Sequence, residues 1–244
     1  MTRVGKADLQ IHSSAGDGLD PIDAILEHVE TKTDLDVIAL TDHDDVRPAF
    51  ALRDLAARRG ARVAVVTGVE VTTRAGHLLA LYVEDEIPML RPLAETVRLI
   101  HDRGGLSIVP HPLSYLTFSV GEGSLLRLAE AGVRVDGIET MNPSIAGQVR
   151  ASRAAVLNRE ALGAAETGSS DAHRASLVGT AWTEFPGHTA EDLRRGILER
   201  STAPRGKPWG VRDHLAGITR QQWRSLVLHP VRKAKRRMVG GERP

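Results

Sequence analysis

Residues 8–18 read DLQIHSSAGDG, a polar and apolar alternation that runs into a small glycine-containing loop. Period-two alternation marks a half-buried strand, so Asp8, Gln10 and His12 are expected on one face while Leu9 and Ile11 face the other way and pack on helices. In the loop that follows, Asp17 can fold back over the end of the strand. One stretch thus offers a histidine, a carboxylate and a buried amide at the C-terminal end of a strand, and the fold depends on whether other strands end the same way.

They do. Apolar or β-branched runs at 7–12, 36–41, 62–68, 77–83, 106–111, 135–141, 162–168 and 179–185 read as strands, and helical patterns lie between them. Asp20-Pro21 is a helix start, with Ile22, Ile25, Leu26 and Val29 on one face. A second helix, 91–103, stops at Gly104-Gly105, and a third, 189–200, opens with Thr189 and the acids Glu191 and Asp192. The rhythm of strand then helix, repeated about seven times, implies parallel strands with helical crossovers. The strand ends carry TDHDD (41–45), TGVE (67–70), PHP (110–112), IETMN (138–142) and GSSDAH (168–173). Side chains from so many strands meet only if the ends form a ring, and no glycine fingerprint or P-loop favours an open sheet. The expected fold is therefore α/β, a distorted TIM-like barrel over residues 1–203, followed by a basic tail, 204–244.

Composition narrows the chemistry. The 244 residues are 41% hydrophobic and 26% charged, as in ordinary globular proteins, and the 3% aromatic content leaves core packing to aliphatic side chains. With no cysteine, thiolate nucleophiles, disulfides and thiolate-bound zinc are excluded, so any cation must be held by nitrogen or oxygen. There is no signal-like apolar segment and no run long enough to span a membrane, which reads as cytoplasmic.

Five histidines and three carboxylates then stand out. His43 lies between Asp42 and Asp44, and Glu70 follows an apolar strand, where a carboxylate can bridge two cations. His77 begins a short strand that can pair back as a hairpin, His111 lies between two prolines, and Asp171 and His173 are spaced D-x-H. His101, His188, His214 and His229 fall on helices, a turn or the tail, where a hydrogen-bonded surface role is the expectation.

The order of these motifs from residue 8 to residue 173 resembles the polymerase and histidinol phosphatase (PHP) family: an H-x-H strand, then S-D-G, T-D-H, G-V-E, a His-led strand, H-P and S-D-x-H. The resemblance implies a distorted (β/α)7 barrel with two or three divalent ions (Mn, Zn or Fe) at its mouth. It implies that His12, Glu70 and Asp171 hold one ion, that Glu70, His77 and His111 hold a second, and that Asp17, His43 and His173 hold a third. Glu139 matches a family position near the site and is expected, with Asp44, to support the ligands. Two departures accompany it. Gln10 replaces the first histidine, and its neutral amide oxygen favours a harder ion such as Mn²⁺ or weaker binding. After Pro112 the chain reads Leu113-Ser114 where some family phosphatases have an arginine, so Arg174 or Lys6 is the expected phosphate-binding cation.

The function this implies is metal-dependent hydrolysis of a small phosphate ester by a metal-bridging hydroxide at a di- or trinuclear site, with Glu70, His43 and Asp171 as its central residues. Two alternatives stand beside it: a nuclease or nucleotide phosphodiesterase, and a metal-binding regulatory protein whose turnover is weakened by Gln10. Charge bears on the choice. Residues 204–244 hold 11 Lys and Arg against two acids, a local +9 within a chain of net +1, which leaves the body at −8. Nucleic acid therefore suits the tail and not the body. Apolar residues at 215, 218, 223, 226 and 227, with Trp209 and Trp223, make the tail weakly amphipathic, suited to packing on the barrel, to anionic membrane or to a protein partner.

Overall fold

A computed structural model describes residues 3–210. The short aliphatic runs form β1 (Val4–Ile11), β2 (Val37–Leu40), β3 (Ala64–Thr72), β4 (His77–Leu81), β5 (Leu106–Val109), β6 (Gly137–Met141), β7 (Ala165–Gly168), β8 (Ala181–Pro186) and β9 (Ala203–Gly206). The helices are α1 (Ile22–Lys32), α2 (Arg47–Arg59), α3 (Leu93–Asp102), α4 (Glu122–Glu130), α5 (Ile145–Gln148), α6 (Ala151–Leu157) and α7 (Ala190–Leu198). Among the described residues these strands form one sheet in the order β7-β6-β5-β4-β3-β2-β1-β8-β9. It curls into a nearly closed barrel, as expected.

Closure does not rest on a strand ladder. The Thr183 hydroxyl on β8 donates to the Gly168 carbonyl (2.8 Å) and accepts from its N–H (3.0 Å), joining edge strand β7 to β8, the strand beside the opposite edge β9. Thr183 is fully buried. Thr183→Val keeps the β-branched shape and removes both hydrogen bonds, and it should cost about 1–3 kcal/mol in urea unfolding.

One apolar cluster draws Ala7 and Leu9 from β1, Ala39 from β2, Val66 from β3, Leu79 from β4, Ile108 from β5, Ala165 from β7 and Phe185 from β8. Residues contributed by so many strands can meet only inside the barrel. Leu193 and Ile197 of α7 join the same cluster, so this helix closes the bottom. Its start is well specified: Thr189 and Asp192 form a reciprocal capping box. Outside the barrel, α1 and α2 pack Ile25, Leu26, Val29, Ala49 and Leu52 against Ile11, Ile38 and Leu40.

Several local expectations are corrected. Leu9 lies inside the barrel rather than on the helices, because the β1–β2 register shifts between Asp8 and Ile11 and exchanges the two faces of the strand. Beyond the shift, Ile11 faces out and Gln10 and His12 reach the mouth. Helix α1 starts one residue later than its sequence signal, with Pro21 as cap, because Asp20 instead accepts the Ala175 N–H (2.8 Å). The strands are not uniformly parallel: β4 runs antiparallel to β3 and β5, and β8 is antiparallel to β1. The hairpin of β3 and β4 follows the sequence expectation.

Beyond residue 203, where the composition shifts, the sheet continues, since β9 pairs along β8 from Ala181↔Gly206 to Glu184↔Ala203. Trp209 packs against the α1/α2 cluster and donates Nε1–H to Thr180 Oγ1 (2.8 Å). The remainder of the basic tail, including its amphipathic pattern, His214, Trp223 and His229, lies outside the described residues. Among those described, no helix is long and apolar enough to cross a membrane.

Candidate metal centre

All eight expected histidine and carboxylate positions gather at one mouth. The turn of 12–18 carries His12 and Asp17, the end of β2 carries His43, and β3 carries Glu70. His77 opens β4 at the same level because β4 runs antiparallel, while His111 follows β5 and Asp171 and His173 follow β7. Donor atoms of His12, Asp17, His43 and His173 lie within 4.8 Å of one another, and so do those of His43, Glu70 and His77.

Glu70 is the hub. Its carboxylate lies 2.8 Å from His77 Nδ1, 3.1 Å from His12 Nε2, 3.2 Å from His111 Nε2 and 3.6 Å from His43 Nδ1. His12 Nε2 is also 3.4 Å from Asp171 Oδ1, and Asp17 Oδ2 lies 3.1 Å from His173 Nε2 and 3.7 Å from His43 Nε2. The structure thus brings together His12, Glu70 and Asp171; Glu70, His77 and His111; and Asp17, His43 and His173.

These contacts are close without being saturated. Both ring nitrogens of His12, Nδ1 of His77, Oδ1 of Asp17 and Oε1 of Gln10 are buried with no hydrogen-bond partner among the described residues. Nitrogen and carboxylate oxygen that approach to 2.8–3.6 Å at angles giving no hydrogen bond leave metal-competent atoms facing a shared space without a partner. A donor set of imidazoles and carboxylates with buried, unpaired lone pairs fits divalent cations.

Charge is concentrated accordingly. Burial alone would raise the Glu70 carboxyl, but His43, His77, His111 and His12 hold it well below the usual range. Asp17 is likewise pulled well below its ordinary value against burial by His173, His43 and His12. Burial disfavours charge on His12 and His111 as well, yet the Asp171, Glu70 and Asp17 carboxylates raise His12 well above normal. Hydrogen bonding and charge from Glu70, with Asp171 and Glu139, raise His111 to about 9. For His43 burial prevails, and its pKa falls to about 4.

The supporting contacts hold these groups in place. His173 Nδ1 faces the Asp171 carbonyl at 3.0 Å; a carbonyl only accepts, so Nδ1–H donates to it and orients the ring with Nε2 toward Asp17 Oδ2 at 3.1 Å. His111 Nδ1 pairs with Ser119 Oγ at 3.0 Å. Asp42 accepts from Ser13 N–H (2.7 Å) and Ser13 Oγ (2.6 Å), fixing the loop that carries Asp17. Burial lifts the Asp42 carboxyl to about 6. Asp8 accepts from Ser170 N–H (2.9 Å) and Gly179 N–H (2.8 Å) and anchors the loop bearing Asp171 and His173. Ser13, Asp42, Asp8 and Ser119 carried no signal of their own in the sequence beyond adjacency to the metal-competent residues.

Backbone strain collects at this rim. Asp44, His111 and Asp171 have positive φ values of 52°, 32° and 53°, a region costly for residues other than glycine. Both oxygens of Asp44 accept from Thr72, so this residue pins the backbone between His43 and Glu70. Glu139 Oε2 accepts the His111 N–H (2.6 Å) and the Asn142 amide (2.9 Å), while Oε1 accepts from Ser169. Asp44 and Glu139 therefore support the ligands through backbone contacts, where imidazole contacts were expected. Burial raises Glu139 to about 7.

Gln10 sits in the expected place. Its Nε2 donates to Glu70 Oε2 (3.0 Å), and its Oε1 is one of the unpaired buried atoms. Lys6 does not. It lies six residues before His12 on β1, about 20 Å away along an extended strand, bound to Asp34 and over the Trp182 ring at the barrel bottom. Its assignment to phosphate is therefore corrected. Arg174 follows His173, is half-buried and makes no ion pair among the described residues. His101 is far from the mouth, paired with Asp136 (2.8 Å) at the other end of the barrel.

A distorted barrel whose strand ends gather imidazoles and carboxylates around unpaired lone pairs defines the class of metal-centred TIM-like barrels. Comparison with known proteins agrees and is more specific. Residues 150–202 match the PHP-associated family model, PHP_C. An uncharacterized protein of Methanocaldococcus jannaschii is 31% identical over 148 residues, covering 56% of this chain and 81% of that protein. The phosphoribosyl 1,2-cyclic phosphate 1,2-diphosphodiesterase of Eggerthella lenta is 36% identical over 92 residues, covering 35% of this chain and 34% of that protein. Among solved structures, a two-domain protein from Bacteroides vulgatus containing a predicted PHP-like metal-dependent phosphoesterase superposes with a TM-score of 0.68 at 20% identity, over 88% of this chain and 69% of that one. The chain belongs to the polymerase and histidinol phosphatase (PHP) family.

Proposed function

We propose that the chain hydrolyses a small phosphate ester at this mouth, using two or three divalent cations held by His12, Asp17, His43, Glu70, His77, His111, Asp171 and His173. The observation that carries the reading is the convergence of these eight side chains at one mouth, where polar atoms of His12, Asp17 and His77 are buried and without a hydrogen-bond partner among the described residues. When bound, the cations supply charge to offset phosphate oxygens and to acidify a water near neutral pH. The residues do the rest. Glu70 joins the groups, Asp17 and Asp171 balance charge, Ser119 and the Asp171 carbonyl orient the His111 and His173 rings, and Asp42 fixes the loop that carries Asp17. Arg174, beside His173, is the side chain proposed to meet phosphate. Gln10 Oε1 offers a neutral oxygen, which favours Mn²⁺ over softer ions.

The relative from Eggerthella lenta, by its name a phosphodiesterase, supports phosphoester chemistry. Incubating Mn²⁺-loaded protein with p-nitrophenyl phosphate, bis(p-nitrophenyl) phosphate and a short oligonucleotide tests the reading. Hydrolysis of a small ester, lost on chelation, is expected. Cleavage of the oligonucleotide alone would make it a nuclease, and no hydrolysis of any would overturn it.

The pKa directions give a second expected outcome. His12 and His111 are raised, so without cation both are protonated at pH 7, and an ion must displace those protons to reach the nitrogens. Affinity should therefore rise as pH rises from 7 through about 9, the value for His111. Adding Mn²⁺ to weakly buffered protein at pH 7 should release at least about one proton per chain in a pH-stat. Proton uptake, or affinity that falls as pH rises, would contradict this ligand set.

A further inference from the structure

The loop after His111 contains an apolar surface that the cation site does not use. Tyr115 is 77% exposed, Leu116 54% and Phe118 48%, in a chain with only eight aromatic residues. Apolar side chains this exposed in a cluster mark a contact surface more often than chance exposure does. Their position is what gives them meaning. The Phe118 ring stands edge-on to the His77 ring at 5.5 Å, and the Phe118 carbonyl accepts the His77 N–H at 2.9 Å. Its neighbour Ser119 pairs with His111 at 3.0 Å. The apolar surface therefore begins where the proposed ligands end.

The base of the loop is held. Leu113 N–H donates to the Val120 carbonyl (3.1 Å), and Gly76 in the β3–β4 turn packs so closely that a Cβ there would lie 2.3 Å from Val120 N. Gly76 has φ +139°, so the contact requires glycine on both counts. A pinned base with exposed aromatic rings presents a preformed surface that loses little freedom on binding. Across the mouth, an open cleft of about 400 Å³ lined by Ala15, Pro21, Ile22, Pro48 and Ala51 flanks the 13–18 loop, but its apolar side chains are small or aliphatic.

We infer that Tyr115 and Phe118 form a wall that receives the organic part of the substrate, and that this part carries a planar unsaturated ring. This rests on the phosphoesterase reading: with phosphate at the cations, the ester substituent extends past His77 and His111 onto the rings. Stacking and edge contacts with an aromatic group add affinity that an alkyl group of similar charge does not obtain.

Calorimetry with Mn²⁺-loaded protein and two non-hydrolysable probes, phenylphosphonate and methylphosphonate, tests it without needing turnover. The phenyl compound should bind at least about fivefold more tightly. In Tyr115→Ala and in Phe118→Leu, that ratio should fall toward one while methylphosphonate affinity stays within about twofold. Both positions are substantially exposed, and unchanged far-UV circular dichroism checks the fold. Equal affinities in the parent protein overturn the inference, and so does a preference that survives both substitutions, which would place the ring in the cleft. Binding of the methyl probe together with ester hydrolysis but no phenyl preference would sink the wall alone. Failure of both probes to bind, with no hydrolysis of any ester, would sink the phosphoesterase reading and the wall with it.

Discussion

Glu70→Gln should lower turnover by roughly 10³-fold or more while leaving the protein folded. The substitution preserves shape and removes one charge. That charge faces His77, His12, His111 and His43 at 2.8, 3.1, 3.2 and 3.6 Å and is almost wholly buried, so no solvent replaces it. The amide also presents an N–H₂ group, which cannot ligate a cation and would point hydrogens at nitrogens that need their lone pairs. Far-UV circular dichroism should be unchanged, since Glu70 keeps its volume and its backbone bonds to Asp42 and Asp44 remain. Activity within tenfold of the parent would remove Glu70 from the centre.

Asp42→Ala has the second largest expected effect and acts from outside the ligand set. Both Asp42 oxygens hold Ser13, through N–H and hydroxyl, and Asp42 Oδ1 lies 2.7 Å from where a Cβ on Gly16 would be. Cutting this anchor frees the loop that carries Asp17, so the group of Asp17, His43 and His173 loses its carboxylate. Two buried hydrogen bonds go as well, a cost of about 2–4 kcal/mol. Turnover should fall roughly 10–100-fold, the usual range for a residue that orients a ligand. Asp42→Asn, which keeps one oxygen for the Ser13 N–H, should recover part of both losses. Steady-state kinetics beside urea unfolding separates the two effects, and an alanine variant with full activity would show that the loop needs no anchor.

The residues that point into the mouth were legible because they are unusual where they stand. Histidine and carboxylate after an aliphatic run have few packing reasons to be there, and their recurrence on separate strands implied a ring. The strand and helix rhythm was readable for the same reason: apolar period is a local signal. What depended on long-range pairing was not. Nothing local in VGKADLQI reveals the register shift that turns Leu9 inward, since it arises from β1 meeting β2. APRG, with its proline and glycine, reads as a linker and becomes an edge strand because β8 offers a partner. Lys6 looked available as a cation only because its partner Asp34 is 28 residues away. The contacts that fix the site, Asp8 to Ser170 and Gly179 among them, span as many as 171 residues and follow from the closed barrel alone.

Elemental analysis of the protein purified without chelator tests the central claim most directly, with Glu70→Gln and His101→Gln purified in parallel. The parent and the His101 variant should each carry at least about one equivalent of divalent metal per chain, and Glu70→Gln should carry far less. A parent protein with well under one equivalent, even after incubation with Mn²⁺, would mean that these side chains meet at the barrel mouth for some purpose other than holding cations.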